Sequence, residues 1–542
     1  MSDIVIELEN GAVVGSTSGN TVVFKGIPYA KPPIGELRWR PPVELDPWPE
    51  ALQAKEYSNS AWQLGVDTKL FIAEIINQSG FNPIKRNLFK TVLSRFRQSN
   101  ESEDCLYLNI RIPSESVQTG YPVMVWIHGG DHQDGSGNGF PYETDVFCDE
   151  GAILVTINYR LGVMGFLSHP ELSLESENNT SGNYGMLDQI AALKWIQENI
   201  AAFGGDPEQV TIFGESAGGE SVAHLLTSPR AKGLFQRAII QSAANSGQMI
   251  HQTAPVLHHD SGEQIGKNLA DKLAPGANQI QALRNLSASQ IMEKVRAEEN
   301  FACRSFFPII DGVTLPMSPF QAFRDGKEHD VPLLVGSNSD EASLFWPHMS
   351  SPLIEYRERE PDVNQMKELI EFEFRDDARL VEDVYSGIVN CDPMAQQELL
   401  GDSLFGATAF YYASLHSKKN ASTFLYHFNQ VPPSSKQTAG AYHAAEIGYV
   451  FDIKSPVFPK SRHGKQLAKT MSRTWVQFAK TGNPNKTDLP VWDAFQDESP
   501  RWMVYGKNLG TDKVAKVLEY RALNRRLERQ LDQLPIGANK DF

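Results

Sequence analysis

Two short runs of consecutive apolar residues lie near the middle of the chain and predict buried strands. The runs are Pro122-Val-Met-Val-Trp-Ile127 and Ala152-Ile-Leu-Val-Thr-Ile157, and each is bounded by turn residues. Strands that are buried on both faces of a parallel sheet have this near-continuous apolar pattern. We therefore expect two central strands of a sheet that is covered by other layers on both sides.

The residues that follow alternate between helical and strand patterns. Residues 187–202 place apolar side chains at helical spacing and stop before Phe203-Gly-Gly-Asp-Pro207. The run Val210-Thr-Ile-Phe213 then predicts a strand, and residues 221–226 predict a helix after a sharp glycine turn. This alternation is typical of an α/β fold with a mostly parallel sheet, whose functional loops collect at the carboxyl ends of the strands.

Two more strands are predicted later in the chain, at Val331-Pro-Leu-Leu-Val335 and Thr423-Phe-Leu-Tyr-His427. The long stretches 250–320 and 350–420 have helical spacing and predict helical excursions around the sheet. No repeat and no linker rich in glycine, serine or proline divides the chain. We therefore expect residues 1–542 to form a single domain.

Composition and charge narrow the classes of function. Of the 542 residues 41% are hydrophobic and 21% are charged, which excludes an intrinsically disordered chain. The net charge of −16 opposes binding to nucleic acid and to anionic lipid surfaces. No signal peptide and no apolar run of membrane-spanning length is visible, so we expect a cytoplasmic protein without stable membrane insertion, or a secreted one if the sequence is that of a trimmed mature chain.

Gly214-Glu-Ser216-Ala-Gly218 is the only G-x-S-x-G sequence in the chain, and it lies between a predicted strand and a predicted helix. In that context the glycines permit a tight turn that holds the Ser216 hydroxyl at the start of the helix. The backbone N–H of Ala217 can then point at an oxyanion that develops on a substrate. A serine hydroxyl is a weak nucleophile, so a base and an orienting acid are also required, in the chain order Ser, acid, His.

Five histidines follow a plausible acid loop: His348, His416, His427, His443 and His463. His427 lies inside a predicted strand and His416 in a helical pattern, which favours packed or solvated side chains. His443 lies in a loop of small residues after the 423–427 strand, so we predict it to be the base. The acid is predicted in the loop after the 331–335 strand, where Asp340 and Glu341 are both candidates that the pattern does not separate.

A second set of oxyanion donors is predicted in the sequence His128-Gly129-Gly130-Asp131, which directly follows the 123–127 strand. A glycine-rich loop in this position supplies backbone N–H groups opposite the nucleophile. Together with Ala217, these donors would stabilise tetrahedral charge during acyl transfer.

With these residues in place, the chain resembles the type B carboxylesterase/lipase family of α/β-hydrolases over nearly its whole length, most closely the bacterial p-nitrobenzyl esterases. The resemblance rests on Phe24-Lys-Gly-Ile-Pro-Tyr-Ala-Lys-Pro-Pro33, residues 102–109, Trp126-Ile-His-Gly-Gly130, Asn158-Tyr-Arg-Leu-Gly162, Phe203-Gly-Gly-Asp-Pro207, the Ser216 turn and residues 475–485.

The resemblance implies an α/β-hydrolase fold, with helices around a mostly parallel sheet and helical excursions around an active-site gorge. It implies roles for six residues: Ser216 as nucleophile, Glu341 rather than Asp340 as acid, His443 as base, and Gly130, Asp131 and Ala217 as oxyanion donors. The expected activity is hydrolysis of short- to medium-chain carboxylic esters through an acyl-enzyme. We expect no cofactor, no metal, a small-molecule ester as the partner, and a monomer or weak homodimer.

Three features depart from the family pattern. Asp131 and His132 stand where relatives usually have a small residue and an aromatic, which raises the alternative of a hydrolase of polar or phosphorus esters. No cysteine precedes Cys105, so a disulfide known in secreted relatives cannot form, in keeping with a reducing compartment. Residues 65–100 form a long apolar and basic segment, which raises the alternative of a lipase with a mobile flap.

Two further readings are disfavoured. The tryptophan that cholinesterases place ten residues before this cysteine is replaced by Arg95, which disfavours a cationic choline substrate. A non-enzymatic adhesion protein of the cholinesterase type usually lacks one of the catalytic residues, whereas all three positions are filled here.

Overall fold

The computed structural model describes residues 3–64, 67–78, 81–82, 84–87, 100–114, 119–244, 249–256, 259–297, 305–345, 362–434 and 437–532. Within them, a sheet of 13 strands extends from the beginning of the chain almost to its end. The strands are β1 (Asp3–Leu8), β2 (Gly11–Ser18), β3 (Thr21–Pro28), β4 (Leu52–Gln53), β5 (Tyr107–Pro113), β6 (Tyr121–Ile127), β7 (Ile153–Ile157), β8 (Gly205–Glu215), β9 (Arg237–Gln241), β10 (Leu333–Asn338), β11 (Thr423–Phe428), β12 (Arg501–Tyr505) and β13 (Gly510–Lys513).

The order of strands across the sheet is β1-β2-β3-β5-β7-β6-β8-β9-β10-β11-β12-β13, with β4 paired to β2. The first strands pair antiparallel, whereas the block from β7 to β12 is parallel throughout. Because the strands of this block point the same way, the loops at their carboxyl ends share one edge of the sheet.

Helices connect and cover the strands. Their bounds are α1 (Asp67–Gln78), α2 (Val146–Asp149), α3 (Gly162–Phe166), α4 (Pro170–Glu175), α5 (Tyr184–Asn199), α6 (Ala217–Thr227), α7 (Gly262–Leu273), α8 (Gln279–Arg284), α9 (Ala288–Ala297), α10 (Pro319–Arg324), α11 (Val363–Phe374), α12 (Ala378–Val384), α13 (Pro393–Gly401), α14 (Ala407–His416), α15 (Ile447–Val450), α16 (Arg462–Thr481) and α17 (Val517–Leu531). The helical excursions predicted between β9 and β11 are confirmed by α7 to α14.

Burial explains why the central strands could be predicted from the sequence. All five residues of β7 are buried, as are the last six of β6, so both strands are covered on both faces. The helix predicted over residues 187–202 is α5 followed by one 3₁₀ turn, and Gly204, with a φ of 83°, ends it as a left-handed cap. Each predicted strand is present, with β8 longer than the run that predicted it.

Part of the predicted flap lies outside the described residues. Helix α1 belongs to the segment 65–100, but residues 88–99, which include Arg95, are not among those described. At its end, the side-chain oxygen of Gln78 accepts a hydrogen bond of 2.8 Å from the N–H of Thr438, five residues before His443. None of the described helices is long and apolar enough to span a lipid bilayer.

Candidate active site

Ser216 occupies the sharp turn between β8 and α6, at the carboxyl end of a central strand. Its backbone φ of 58° and ψ of −128° lie in a region that residues other than glycine rarely adopt. The flanking glycines are required sterically, because a Cβ on Gly218 would lie 2.1 Å from the Ile127 carbonyl oxygen and one on Gly214 would lie 2.4 Å from that of Gly218. The turn therefore presents the serine at the start of a helix, as the sequence predicts.

The loop 129–132, called the oxyanion loop below, packs directly on this turn. A Cβ on Gly129 would lie 3.0 Å from the Cβ of Ser216, so the two backbones are close neighbours. Gly130 has a φ of 107°, and its carbonyl oxygen accepts hydrogen bonds from the N–H groups of Gln133 and Asp134, which directly follow the loop. Asp131 is exposed, whereas His132 is buried.

Glu341 and His443 come from two loops that leave neighbouring parallel strands, β10 and β11. A bridge between Asp340 and Tyr442 holds the loops together. The Oε2 atom of Glu341 lies 2.6 Å from Nδ1 of His443, and both side chains are almost fully buried. The structure thus brings together the predicted base and one of its two candidate acids.

The two adjacent acids have different surroundings. The second oxygen of Glu341 accepts 2.6 Å hydrogen bonds from the hydroxyl of Ser242 and from the N–H of Asn338, so the carboxylate is fixed. Asp340 instead accepts from the N–H of Ala441, at 2.9 Å. Of the two acids, Glu341 therefore contacts the imidazole of His443, while Asp340 joins the two loops through the backbone of Ala441.

A third carboxylate, which the sequence reasoning did not single out, faces the other nitrogen of the imidazole. The Oε1 atom of Glu215 lies 3.1 Å from Nε2 of His443. Burial alone would lower the pKa of His443, but the nearby carboxylates of Glu215 and Glu341 outweigh it and raise the pKa. Burial raises the pKa of Glu215 as well, so the pair holds a proton more readily than exposed groups would.

A fourth acid, Glu446, lies in the same buried region, three residues after His443 and directly before α15. Its two oxygens accept hydrogen bonds from Asn338, at 2.6 Å, and from Gln241, at 3.2 Å. The indole N–H of Trp475 in turn donates to Gln241 at 3.0 Å. Burial raises the pKa of Glu446. The spacing of three residues after His443 is the sequence signal that could have identified it.

His132 is buried against α6, whereas the phosphorus-ester hypothesis requires a side chain that faces the substrate. Its side chain is 1% exposed, and its Nε2 atom lies 3.3 Å from Oε2 of Glu220 on α6. The edge of its ring also packs against Phe166. A buried imidazole in this position is a structural partner of the helix rather than an exposed group beside the serine.

Aromatic rings form one wall beside the base. The ring centroids of Phe405 and Phe345 lie 4.7 Å and 5.1 Å from that of His443. Phe405 lies in a π-helical segment, residues Asp402–Gly406, between α13 and α14. Such segments are rare and often occur at functional sites. The site therefore combines a desolvated histidine, paired carboxylates and an apolar wall.

Comparisons with known proteins show which family the chain belongs to. The profile of the "Carboxylesterase family" matches residues 2–523. The chain is 34% identical to the para-nitrobenzyl esterase of Bacillus subtilis (strain 168) over 519 residues, which cover 93% of this chain and 95% of that protein. It is 33% identical to the fumonisin B1 esterase of Sphingopyxis macrogoltabida over 524 residues, which cover 94% and 87%.

Solved structures of esterases have the same fold as this chain. A PNB esterase structure superimposes with a TM-score of 0.78 at 30% sequence identity, and the match covers 96% of this chain and 99% of that one. The α/β-hydrolase fold is thereby confirmed. A family profile that matches almost the whole chain, and relatives that align end to end, identify the chain as a member of the carboxylesterase family.

Proposed function

We propose that this protein is a serine carboxylester hydrolase that cleaves short- to medium-chain esters through an acyl-enzyme. The observation that carries the proposal is the 2.6 Å contact between Glu341 and His443 beside the strained turn of Ser216. A base that is oriented by a buried acid is what a serine hydroxyl requires to act as a nucleophile at neutral pH.

In the proposed cycle, Ser216 Oγ attacks the ester carbonyl and passes its proton to Nε2 of His443. The carbon–oxygen bond to the alcohol then breaks, and the alcohol leaves with that proton. Water attacks the acyl-enzyme with His443 again as base, and the acid is released. The N–H groups of Gly130, Asp131 and Ala217 donate to the oxyanion in both steps, at a gain of about 3 kcal/mol per donor.

The preference for shorter acyl chains is tested with p-nitrophenyl esters from acetate to palmitate. We expect kcat/KM to be highest for the short and medium esters and to fall at palmitate, because Phe345 and Phe405 narrow the space beside His443. Rates that stay flat or rise up to palmitate would contradict the preference. An absence of hydrolysis for every ester would contradict the function itself.

A lipase remains a separate prediction, because it depends on a flap formed by residues 65–100. The hydrogen bond between Gln78 and Thr438 links α1, which belongs to this segment, to the loop that carries His443. A lipase would show a jump in activity when a triglyceride exceeds its solubility limit. A carboxylesterase would saturate below that limit.

The hydrolysis of polar or phosphorus esters is favoured less by this geometry. It needs Asp131 or His132 to face the substrate, and the buried contact of His132 with Glu220 leaves Asp131 alone for that role. Turnover of paraoxon tests the phosphorus esters. Hydrolysis of fumonisin B1 tests a polar toxin ester, since one relative carries that substrate in its name.

We also propose that the whole chain acts as one catalytic domain, which the continuous sheet from Asp3 to Lys513 supports. A cytoplasmic location is supported by the free thiols of Cys105 and Cys148. The monomeric or weakly dimeric state is a prediction that light scattering would test.

A further inference from the structure

The oxyanion loop has an unusual backbone. Asp131 and His132 are consecutive residues with φ angles of 55° and 52°, in the left-handed region that favours glycine. Neither residue is a glycine, so contacts with neighbouring elements must hold this backbone conformation.

Two contacts of His132 hold the end of the loop. Its carbonyl oxygen accepts a 2.8 Å hydrogen bond from the N–H of Gly162, which begins α3. Its imidazole Nε2 lies 3.3 Å from Oε2 of Glu220, and the ring is edge-on to Phe166 and Phe307, at centroid distances of 5.6 Å and 6.4 Å. Because the side chain is 1% exposed, it has little freedom to move.

Glu220 is itself tied to the nucleophile. It lies four residues after Ser216, on the same face of α6, and its N–H donates to the Ser216 carbonyl oxygen at 2.9 Å. The contact from His132 to Glu220 therefore joins the two segments that carry the proposed oxyanion donors. These are the loop with Gly130 and Asp131, and the first turn of α6 with Ala217.

The contact suits a hydrogen bond between neutral groups. Burial lowers the pKa of His132 to about 3 and raises that of Glu220 to about 8. At pH 7 the carboxyl O–H of Glu220 can donate to an unprotonated Nε2, and no net charge is placed beside the oxyanion. A glutamine at position 220 offers the same kind of contact.

We infer that His132 and Glu220 are positioning residues that hold the oxyanion loop at a fixed distance from the nucleophile helix. The inference rests on the proposed function, since it concerns the same oxyanion donors. Small displacements of such donors weaken the transition state more than the bound substrate. Loss of the contact is therefore expected to lower kcat and to leave KM nearly unchanged.

The test compares Glu220→Leu, His132→Phe, the double variant and the conservative Glu220→Gln, with p-nitrophenyl acetate as substrate. His427→Phe is the matched control, because this histidine is also desolvated but stacks on Trp502 in another part of the sheet. The dissociation constant of a trifluoromethyl ketone, which forms an oxyanion with the serine, is measured for each variant, together with thermal unfolding.

We expect Glu220→Leu and His132→Phe to lower kcat roughly 10- to 100-fold, with KM within about twofold, and to weaken ketone binding by a similar factor. The double variant is expected to be no worse than either single one, because both remove the same contact. Glu220→Gln and His427→Phe are expected to stay within about threefold of the wild-type kcat.

The inference is overturned if kcat and ketone affinity are unchanged in folded variants, or if the losses in the double variant add. It is also overturned if the variants lose only thermal stability, which would indicate a purely structural role. If Glu220→Leu does not fold, the ketone affinity of His132→Phe decides. A wild-type protein that hydrolyses no p-nitrophenyl acetate would instead contradict the proposed function, and the inference with it.

Discussion

The Oε1 atom of Glu215 lies 3.1 Å from Nε2 of His443, while the Oε2 atom of Glu341 lies 2.6 Å from Nδ1 of the same ring. The imidazole is thus flanked by a carboxyl group at each nitrogen. Since Glu215 directly precedes Ser216, Nε2 faces the segment that carries the proposed nucleophile. The protonation of this pair is expected to govern how the activity depends on pH.

The variant Glu215→Gln is expected to move the acid limb of the pH profile of kcat/KM to lower pH, by about one unit. A carboxylate beside the imidazolium raises the pKa of His443, and the uncharged amide removes that stabilisation. The base then becomes neutral, and so active, at lower pH. Glu208→Gln, an exposed position on the same strand, is the control. An unchanged acid limb in Glu215→Gln would contradict the assignment.

The two neighbouring acids are expected to differ in their effect on catalysis. Glu341→Gln is expected to lower kcat by about 10³- to 10⁴-fold, because an amide can no longer stabilise the imidazolium. Asp340→Asn keeps an oxygen that can accept from the Ala441 N–H, so we expect kcat within about threefold of wild type. Similar losses in both variants would show that the loops, rather than the acid, determine the rate.

The variants Asp131→Gly and Asp131→Asn separate charge from backbone strain. Both remove a carboxylate next to a proposed oxyanion donor, and both are expected to raise kcat/KM for p-nitrophenyl acetate severalfold. Only glycine fully relieves the strain of the left-handed φ of 55°. We therefore expect Asp131→Gly alone to raise the free energy of unfolding, by about 1 kcal/mol, and with it the melting temperature. A fall in kcat/KM for both variants would indicate that the carboxylate takes part in the reaction.

The turn at Ser216 is expected to tolerate no side chain at Gly218. In Gly218→Ala, the new Cβ would lie 2.1 Å from the carbonyl oxygen of Ile127, which is backbone and cannot rotate away. We expect a loss of about 3 kcal/mol or more in the free energy of unfolding. Gly326→Ala, at an open position with a φ of 64°, should cost only about 1 kcal/mol. Denaturant unfolding of both variants measures the difference.

Features that depend on short stretches of sequence could be predicted. The strands β6 and β7 are buried on both faces, so the run of consecutive apolar residues in each was enough to predict its position. The turn at Ser216 was readable because its glycines are required by local sterics. The antiparallel strands β1, β2, β3 and β5 were not predicted, because exposed or partly buried residues make up β1 and flank or interrupt the buried ones along the other three.

Features that depend on distant contacts could not be predicted. The residue pattern left Asp340 and Glu341 equivalent, because the contact of Glu341 with His443 and the bridge from Asp340 to Tyr442 both join loops about a hundred residues apart. The inward orientation of His132 likewise depends on a partner on another element, Glu220. The family resemblance implied Glu341, and its contact with His443 is visible only in three dimensions.

The most direct test of the central claim is the hydrolysis of p-nitrophenyl acetate by wild type and by Ser216→Ala, with thermal unfolding as the check on folding. The account predicts that wild type releases a burst of p-nitrophenol equal to the enzyme concentration. It also predicts that folded Ser216→Ala shows no burst and loses about 10⁵- to 10⁶-fold in kcat. A folded Ser216→Ala that retains the burst and most of the activity would contradict it, because the nucleophile would then be another residue.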